Sequence, residues 1–353
     1  MARHFNKLGY QVMVVVPKST CTDQVLNRAP EYLQVFPVEM DRNGANPISD
    51  RKYYKDLLHI FKQVKPNIIF VYTIKPNIYG SIAAYRSGIP VVAVVPGLGY
   101  AFSGNSLKHR LGRWLYGYGL RRANKVIVLN NSNYIILARK FVKKENLILF
   151  AGGEGVDLNQ FPFREDEYDS VRFLMVARIL YDKGYSEYVE ASRLVKKRYP
   201  DVRVELLGPL AEDSPMGVPL DIVKKDHDEG TISYLGETDD IPAYVGRKGV
   251  VVVVVSSYHE GFNRSLMEAC AMGRICIASD IPGCKEIVKD GYNGYLVPTK
   301  DSEKLADAML KIIESPSEKR RFLAANSNRV AQEKFDVNFV FEKYDKIISD
   351  ILS

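Results

Sequence analysis

Two hydrophobic rhythms alternate along the chain. Short runs of β-branched and aliphatic residues, bounded by Gly, Pro, Asn or Ser, are separated by longer stretches in which apolar positions return every three or four residues. The short runs read as strands and the long stretches as amphipathic helices. Strands are predicted over residues 10–17, 32–38, 68–73, 91–95, 126–129 and 147–150, then over 173–177, 204–207, 232–235, 250–255, 275–278 and 295–297. The run Val251-Val252-Val253-Val254-Val255 offers no polar position to face water, so it reads as a parallel strand covered on both faces. It is also too short to span a bilayer. Strand and helix alternating in this way give an α/β protein with mostly parallel sheets. The rhythm pauses at Gly152-Gly153-Glu154-Gly155-Val156-Asp157 and restarts at residue 173. Two doubly wound, Rossmann-like domains are therefore expected, residues 1–155 and 156–335, and the chain from residue 303 to 353 reads as helical with a break at Ser315-Pro316.

The opening departs from that scheme. Residues 1–9 look like the back half of a helix stopped at Gly9, followed directly by a strand. A doubly wound domain ordinarily begins with a central strand and a glycine-containing loop ahead of that helix. Neither is present, so the first strand of the first domain is expected to be missing, with a gap in its sheet. Roughly 20 further residues are expected upstream in the natural chain.

Residues 250–288 carry the densest pattern: strand, loop, helix, strand, with Glu260 on the loop and Glu268 one to two turns into the helix. In open parallel sheets, ligands bind beyond the carboxyl ends of strands, where loops and helix N-termini converge. The backbone N–H groups of Gly261, Phe262, Asn263, Ser265 and Leu266 fall at that helix start and are candidates for hydroxyl or phosphate oxygens. A carboxylate there suits a hydroxyl-rich ligand such as a sugar or ribose. Spacing alone leaves a second reading open, in which Glu260 closes the loop and Glu268 is a solvated helix residue. Arg178 ends a strand and Lys183 precedes a helix, so both can point into such a crevice and neutralise a phosphate pair. On its own that spacing is weak and reads by default as surface cations. Asp226-His227-Asp228 would suit a metal, but it reads as a solvated acidic loop, and His259 reads as a loop residue rather than a base.

The stretch as a whole resembles the signature of family 4 of the retaining, nucleotide-sugar-dependent glycosyltransferases. The matching elements are Glu260-Gly261-Phe262, Glu268, Ala271-Met272-Gly273, residues 275–280, Gly283 to Val288, and Asp290-Gly291-Tyr292-Asn293-Gly294. Ala177-Arg178 and Lys183-Gly184 match the family's diphosphate motif. The resemblance implies the GT-B fold, two Rossmann-like domains facing a cleft. Residues 1–155 would take the acceptor, 156–335 the nucleotide sugar, and 336–353 would form a helix crossing back to the first domain. It implies that Arg178 and Lys183 hold the diphosphate, Glu260 the sugar near the reacting carbon, and Glu268 the ribose. Gly261, Phe262, Asn263, Ser265 and Leu266 would offer groups to sugar and phosphate. Asn263 stands where many members have Pro or Gly. In the first domain, Val95-Pro96-Gly97-Leu98-Gly99-Tyr100 stands where many members carry a His-Gly turn. Gly97 and Gly99 can still let the backbone approach a sugar closely, but no histidine is assignable there. The blocks look closest to bacterial members that extend undecaprenyl-diphosphate-linked glycans. The implied reaction transfers a hexose or N-acetylhexosamine from a UDP-sugar to a glycan or lipid-linked acceptor with retention, without cofactor or metal. A sugar-nucleotide epimerase of the same fold and a non-catalytic relative are the alternatives.

Composition is that of an ordinary soluble protein, with 46% hydrophobic and 26% charged residues. The net charge of +7 hides an asymmetry that changes the picture. Residues 1–150 hold 22 Lys and Arg against 7 Asp and Glu, while the remainder is formally −8. The first half should therefore face something anionic. Its most basic segment, residues 107–125, carries Leu107, Leu111, Trp114, Leu115 and Tyr118 at helical spacing with cations between. That pattern fits either an anionic lipid surface or a core-packed helix with a solvated basic face. No nucleic-acid motif accompanies the charge. The four cysteines form no CxxC pair and read as reduced core thiols. The expected location is cytoplasmic, peripheral on the cytoplasmic face of the inner membrane.

Overall fold

The computed structural model describes residues 1–353 apart from 23–25, 28, 42–45, 100, 101, 103 and 258–261. It contains two compact units, Met1–Phe150 with Phe341–Ser353, and Ala151–Val340.

In the first unit the described elements run α1 (Ala2–Lys7), β1 (Met13–Pro17), β2 (Gln34–Val38), α2 (Pro47–Val64), β3 (Ile69–Tyr72), α3 (Ser81–Arg86), β4 (Val91–Val95), α4 (Leu107–Leu120), β5 (Lys125–Val128), α5 (Asn131–Lys140) and β6 (Leu147–Leu149). All pairings are parallel, but they form two sheets, β1-β2 and β3-β4-β5-β6. Among the described residues β1 and β2 are not hydrogen-bonded to β3. β4 is buried at every position, whereas every residue of the equally apolar β1 stays half-buried. Buried Asn77 joins the core by donating to Val94 O (2.8 Å) and the Tyr116 hydroxyl (3.2 Å). Tyr344, near the chain end, packs its ring against Phe70 (5.4 Å) and Phe150 (5.2 Å), while the His4 ring stacks on Phe341 (4.2 Å).

The second unit runs β7 (Arg172–Val176), α6 (Tyr185–Lys196), β8 (Arg203–Leu207), α7 (Leu220–Asp228), β9 (Ser233–Tyr234), α8 (Ile241–Val245), β10 (Val250–Val254), α9 (Arg264–Ala271), β11 (Ile275–Ser279), α10 (Pro282–Lys285), β12 (Gly294–Val297), α11 (Ser302–Glu314), α12 (Ser317–Lys334) and the start of α13 (Val337–Leu352). Its six parallel strands are ordered β12-β11-β10-β7-β8-β9. Successive strands go outward from β7 to one side, and the chain then returns to build the other side from β10. β7 and β10 are thus the neighbours at which the order reverses, the position where ligands bind such sheets. Both faces of the sheet are buried, in alternation: Phe173, Met175, Val251 and Val253 enter one core layer, Leu174, Val250, Val252 and Val254 the other. The unbroken valine run follows from this, since neither face meets water.

The acidic run 226–230 corrects its sequence reading. Asp226 lies in the last turns of α7, is only 5% exposed, and accepts from the Tyr185 hydroxyl (2.7 Å) and Arg193 Nη2 (2.6 Å). A loop carboxylate would be solvated; this one ties α7 to α6. Cys270, Cys276 and Cys284 are buried and Cys21 is half-buried, and none of the four is in a disulfide. Among the described residues no helix is long and apolar enough to cross a membrane.

Candidate functional site

A cavity of about 250 Å³ opens beyond the carboxyl ends of β7 and β10. Three chain segments supply its polar lining: Arg178 just after β7, Lys183 before α6, and Asn263, Arg264 and Ser265 at the start of α9, with Ser256 and Phe262 between them.

The turn that carries Lys183 is fixed from both sides. Tyr181–Lys183 form one 3₁₀ turn closed by Gly184, which sits at φ 89. A Cβ there would overlap the Val255 carbonyl, so only glycine lets this turn lie against the end of β10. Ser257 completes the clamp, its N–H (2.9 Å) and hydroxyl (3.1 Å) both donating to Asp182 O.

The opening turn of α9 is fixed in a similar way. Asn263 adopts an extended backbone and its Oδ1 accepts from Leu266 N–H (3.0 Å), an N-cap. This gives a reason for Asn at that position: the cap orders the helix start beside the cavity. The Ser265 hydroxyl donates to Val176 O (3.1 Å), tying the helix to the end of β7. Phe262 packs edge-on to Phe335 (5.8 Å), and Gly153, at φ 65, lies so close that a Cβ would sit 2.7 Å from the Phe262 ring.

The charges divide by environment. Arg178 is exposed and makes no ion pair or hydrogen bond with any described residue. Glu268 is 6% exposed and accepts from Arg264 Nε (2.7 Å). Burial raises the Glu268 carboxyl above its ordinary range, and the Arg264 bond and charge pull it partly back.

Arg178, Lys183, Phe262, Asn263 and Ser265 therefore surround one cavity. Leu266 contributes differently from the expectation: its side chain is fully buried and its amide is already bonded to Asn263. Glu268 lies one turn further in, behind Arg264, and is not part of the cavity lining. Glu260, Gly261 and His259 lie outside the described residues. Gly97 and Gly99 follow β4 in the other unit, where Gly99 has φ 64 and a Cβ would overlap Ile74 Cδ1. Arg264 and Ser256 are lining residues that the sequence reading passed over. The Arg264/Glu268 spacing of four was the available signal for the first; nothing marked Ser256 beyond its place at a strand end.

Two family models match the chain: Glycosyl transferase 4-like over residues 1–131 and Glycosyl transferases group 1 over residues 159–330. The N,N'-diacetylbacillosaminyl-diphospho-undecaprenol alpha-1,3-N-acetylgalactosaminyltransferase of Campylobacter jejuni is 27% identical, over 97% of this chain and 92% of the relative. The UDP-Gal:alpha-D-GlcNAc-diphosphoundecaprenol alpha-1,3-galactosyltransferase of Escherichia coli is 26% identical, over 75% of this chain and 71% of the relative. Among solved structures, Anabaena Alr3699/HepE in complex with UDP superposes with a TM-score of 0.73 at 19% identity, covering 90% of this chain and 86% of that one. With both family models covering most of its length and this fold around a switch-point cavity, the chain belongs to the glycosyl transferases of GT-B fold, pairing a 4-like first domain with a group 1 second domain.

Proposed function

We propose that this glycosyltransferase moves a hexose or N-acetylhexosamine from a UDP-sugar to a lipid-linked glycan acceptor, retaining the anomeric configuration and using no metal. The observation that carries the reading is the pair of cations, Arg178 and Lys183, converging with the N-terminus of α9 on one cavity at the β7/β10 switch point. Cleavage of a glycosyl phosphate bond leaves a diphosphate whose charge must be met as it develops. Two cations and the amides of an eight-residue helix supply that neutralisation without an ion. Glu260 would stabilise the positive charge on the sugar, Glu268 would hold the ribose by way of its surroundings at α9, and Phe262, Gly261 and Asn263 would shape the sugar pocket. Gly97 and Gly99 would let the acceptor approach the first domain's backbone.

The acceptor class rests on the two undecaprenyl-linked relatives and on the basic character of residues 1–150. Anionic lipid would then recruit the protein as a peripheral enzyme to the cytoplasmic face of the inner membrane. The test is a UDP-release assay with UDP-sugars and undecaprenyl-diphosphate-linked acceptors. Acceptor-dependent UDP release with an α-linked product from an α-linked donor is expected. Isomerised UDP-sugar formed without any acceptor would overturn transfer in favour of epimerisation.

A further inference from the structure

Residues 57–144 contain no Asp or Glu and 14 Lys and Arg, so this 88-residue stretch has no internal carboxylate to neutralise it. Within it, a second cavity of about 320 Å³ lies between α4 and the end of α5, lined by Arg110, Arg113, Trp114, Arg121, Lys140 and Phe141. Four cations thus converge on a single recess with two aromatic walls. Arg113 is partly committed, donating to Gly104 O (2.6 Å), and neighbouring Arg122 is spent over the Tyr118 ring (3.7 Å). Arg110, Arg121 and Lys140 are exposed and have no ion-pair partner among the described residues.

Beside the recess runs an apolar stripe on the same helix. Leu107, Leu111 and Trp114, spaced four and three apart, are 79%, 62% and 59% exposed, while Tyr116, Gly117 and Leu120 face the core. At 100° per residue, Arg110 and Arg121 flank Trp114 on one side and Leu107 and Leu111 on the other. A water-soluble anion would use the cations and leave the stripe wet. A neutral membrane would cover the stripe and leave the cations unmatched. One occupant satisfies both: an anionic group attached to a hydrocarbon chain at the bilayer surface. A diphosphate provides two phosphoryl groups in a row, which suits several guanidinium forks better than a single phosphodiester does.

We propose that the recess formed by Arg110, Arg113, Arg121 and Lys140, with Trp114 as its wall, binds the diphosphate of a membrane-embedded lipid diphosphate while Leu107, Leu111 and Trp114 enter the interface. The inference rests on the lipid-linked acceptor reading and names where that acceptor's anchor is held.

Vesicle flotation tests it. Phosphatidylcholine vesicles carry either undecaprenyl diphosphate or phosphatidylglycerol at matched charge, and the Arg110→Ala/Arg121→Ala/Lys140→Ala protein is compared with a control lacking three exposed cations of α2, Lys52→Ala/Lys55→Ala/Lys62→Ala. The wild type should prefer the diphosphate vesicles. With each surface cation contributing about a fivefold gain in affinity, the recess triple should lose about 100-fold on those vesicles and its preference with it. The α2 control should keep the preference, and inorganic diphosphate should compete only weakly. Equal losses in the two triples, or no preference in the wild type, overturns the inference. Full competition by inorganic diphosphate also overturns it, because the hydrocarbon chain would then contribute nothing. UDP binding, followed in the same preparations by calorimetry, separates the two levels: intact UDP binding without diphosphate preference sinks the anchor site alone, and absent UDP binding in the wild type sinks the donor reading.

Discussion

Arg264→Ala removes one partner from a pair whose other member cannot move into water. Glu268 is 6% exposed and is held by Arg264 Nε at 2.7 Å, whereas the Arg264 side chain is 74% exposed. A hydrogen bond to a charged group is worth about 1.5–3 kcal/mol, and an exposed i,i+4 pair only about 0.3–0.5 kcal/mol. With one end buried and the other in water, the loss should be about 1–2 kcal/mol. In a unit the size of Ala151–Val340 that corresponds to about 2–8 °C in Tm. The pH dependence sharpens the test. Burial raises the Glu268 carboxyl in the folded protein, so between the unfolded and folded values the native state binds the extra proton and stability falls as pH rises. Arg264 opposes that shift, so its removal widens the window and costs more at pH 7 than at pH 5. Thermal melts of Arg264→Ala at both pH values, with Arg264→Ala/Glu268→Gln beside them, read this out. The double variant should recover most of the loss at pH 7. A loss equal at both pH values and undiminished in the double variant would refute the argument.

Three further outcomes are expected. Gly184→Ala must hold φ 89 and push against the Val255 carbonyl, so urea melts should show a loss of about 2–4 kcal/mol, with UDP affinity falling because Lys183 is displaced. Tyr344→Ala empties a site 2% exposed between Phe5, Phe70 and Phe150 and should cost about 3–5 kcal/mol by the same measurement, leaving UDP affinity of the remaining folded protein unchanged. Transfer measured in EDTA should equal transfer with added Mg²⁺, since the proposed neutralisation of diphosphate uses Arg178 and Lys183.

The strands were legible because burial on both faces leaves an unmistakable run. All twelve predicted segments overlap a strand. What the sequence did not disclose depends on partners far apart in the chain. Arg274, 1% exposed, donates to Asp166 (3.0 Å) and to Val245 O (3.0 Å), 108 and 29 residues away, and no local pattern announces such a pairing. Asp226 looked like a solvated loop because its partners Tyr185 and Arg193 lie on another helix. Residues 107–120 were ambiguous between membrane surface and core because their periodicity fixes a stripe, not what covers it; the fold buries Tyr116 and Leu120 and leaves Leu107, Leu111 and Trp114 outside. At the cavity, the family resemblance named Arg178 and Lys183 where their spacing alone did not, and the capping role of Asn263 and the Arg264–Glu268 bond needed coordinates.

Calorimetric titration of UDP and of uridine into the wild type and into Arg178→Ala/Lys183→Ala compares the diphosphate's share of binding with the nucleoside's. Two cations each worth about 1.5 kcal/mol to a phosphate oxygen predict a loss of roughly 100-fold for UDP and little change for uridine, with Tm for Arg178→Ala alone unchanged because that side chain has no partner among the described residues. UDP and uridine losing affinity alike, or UDP binding as tightly as before, would contradict the account.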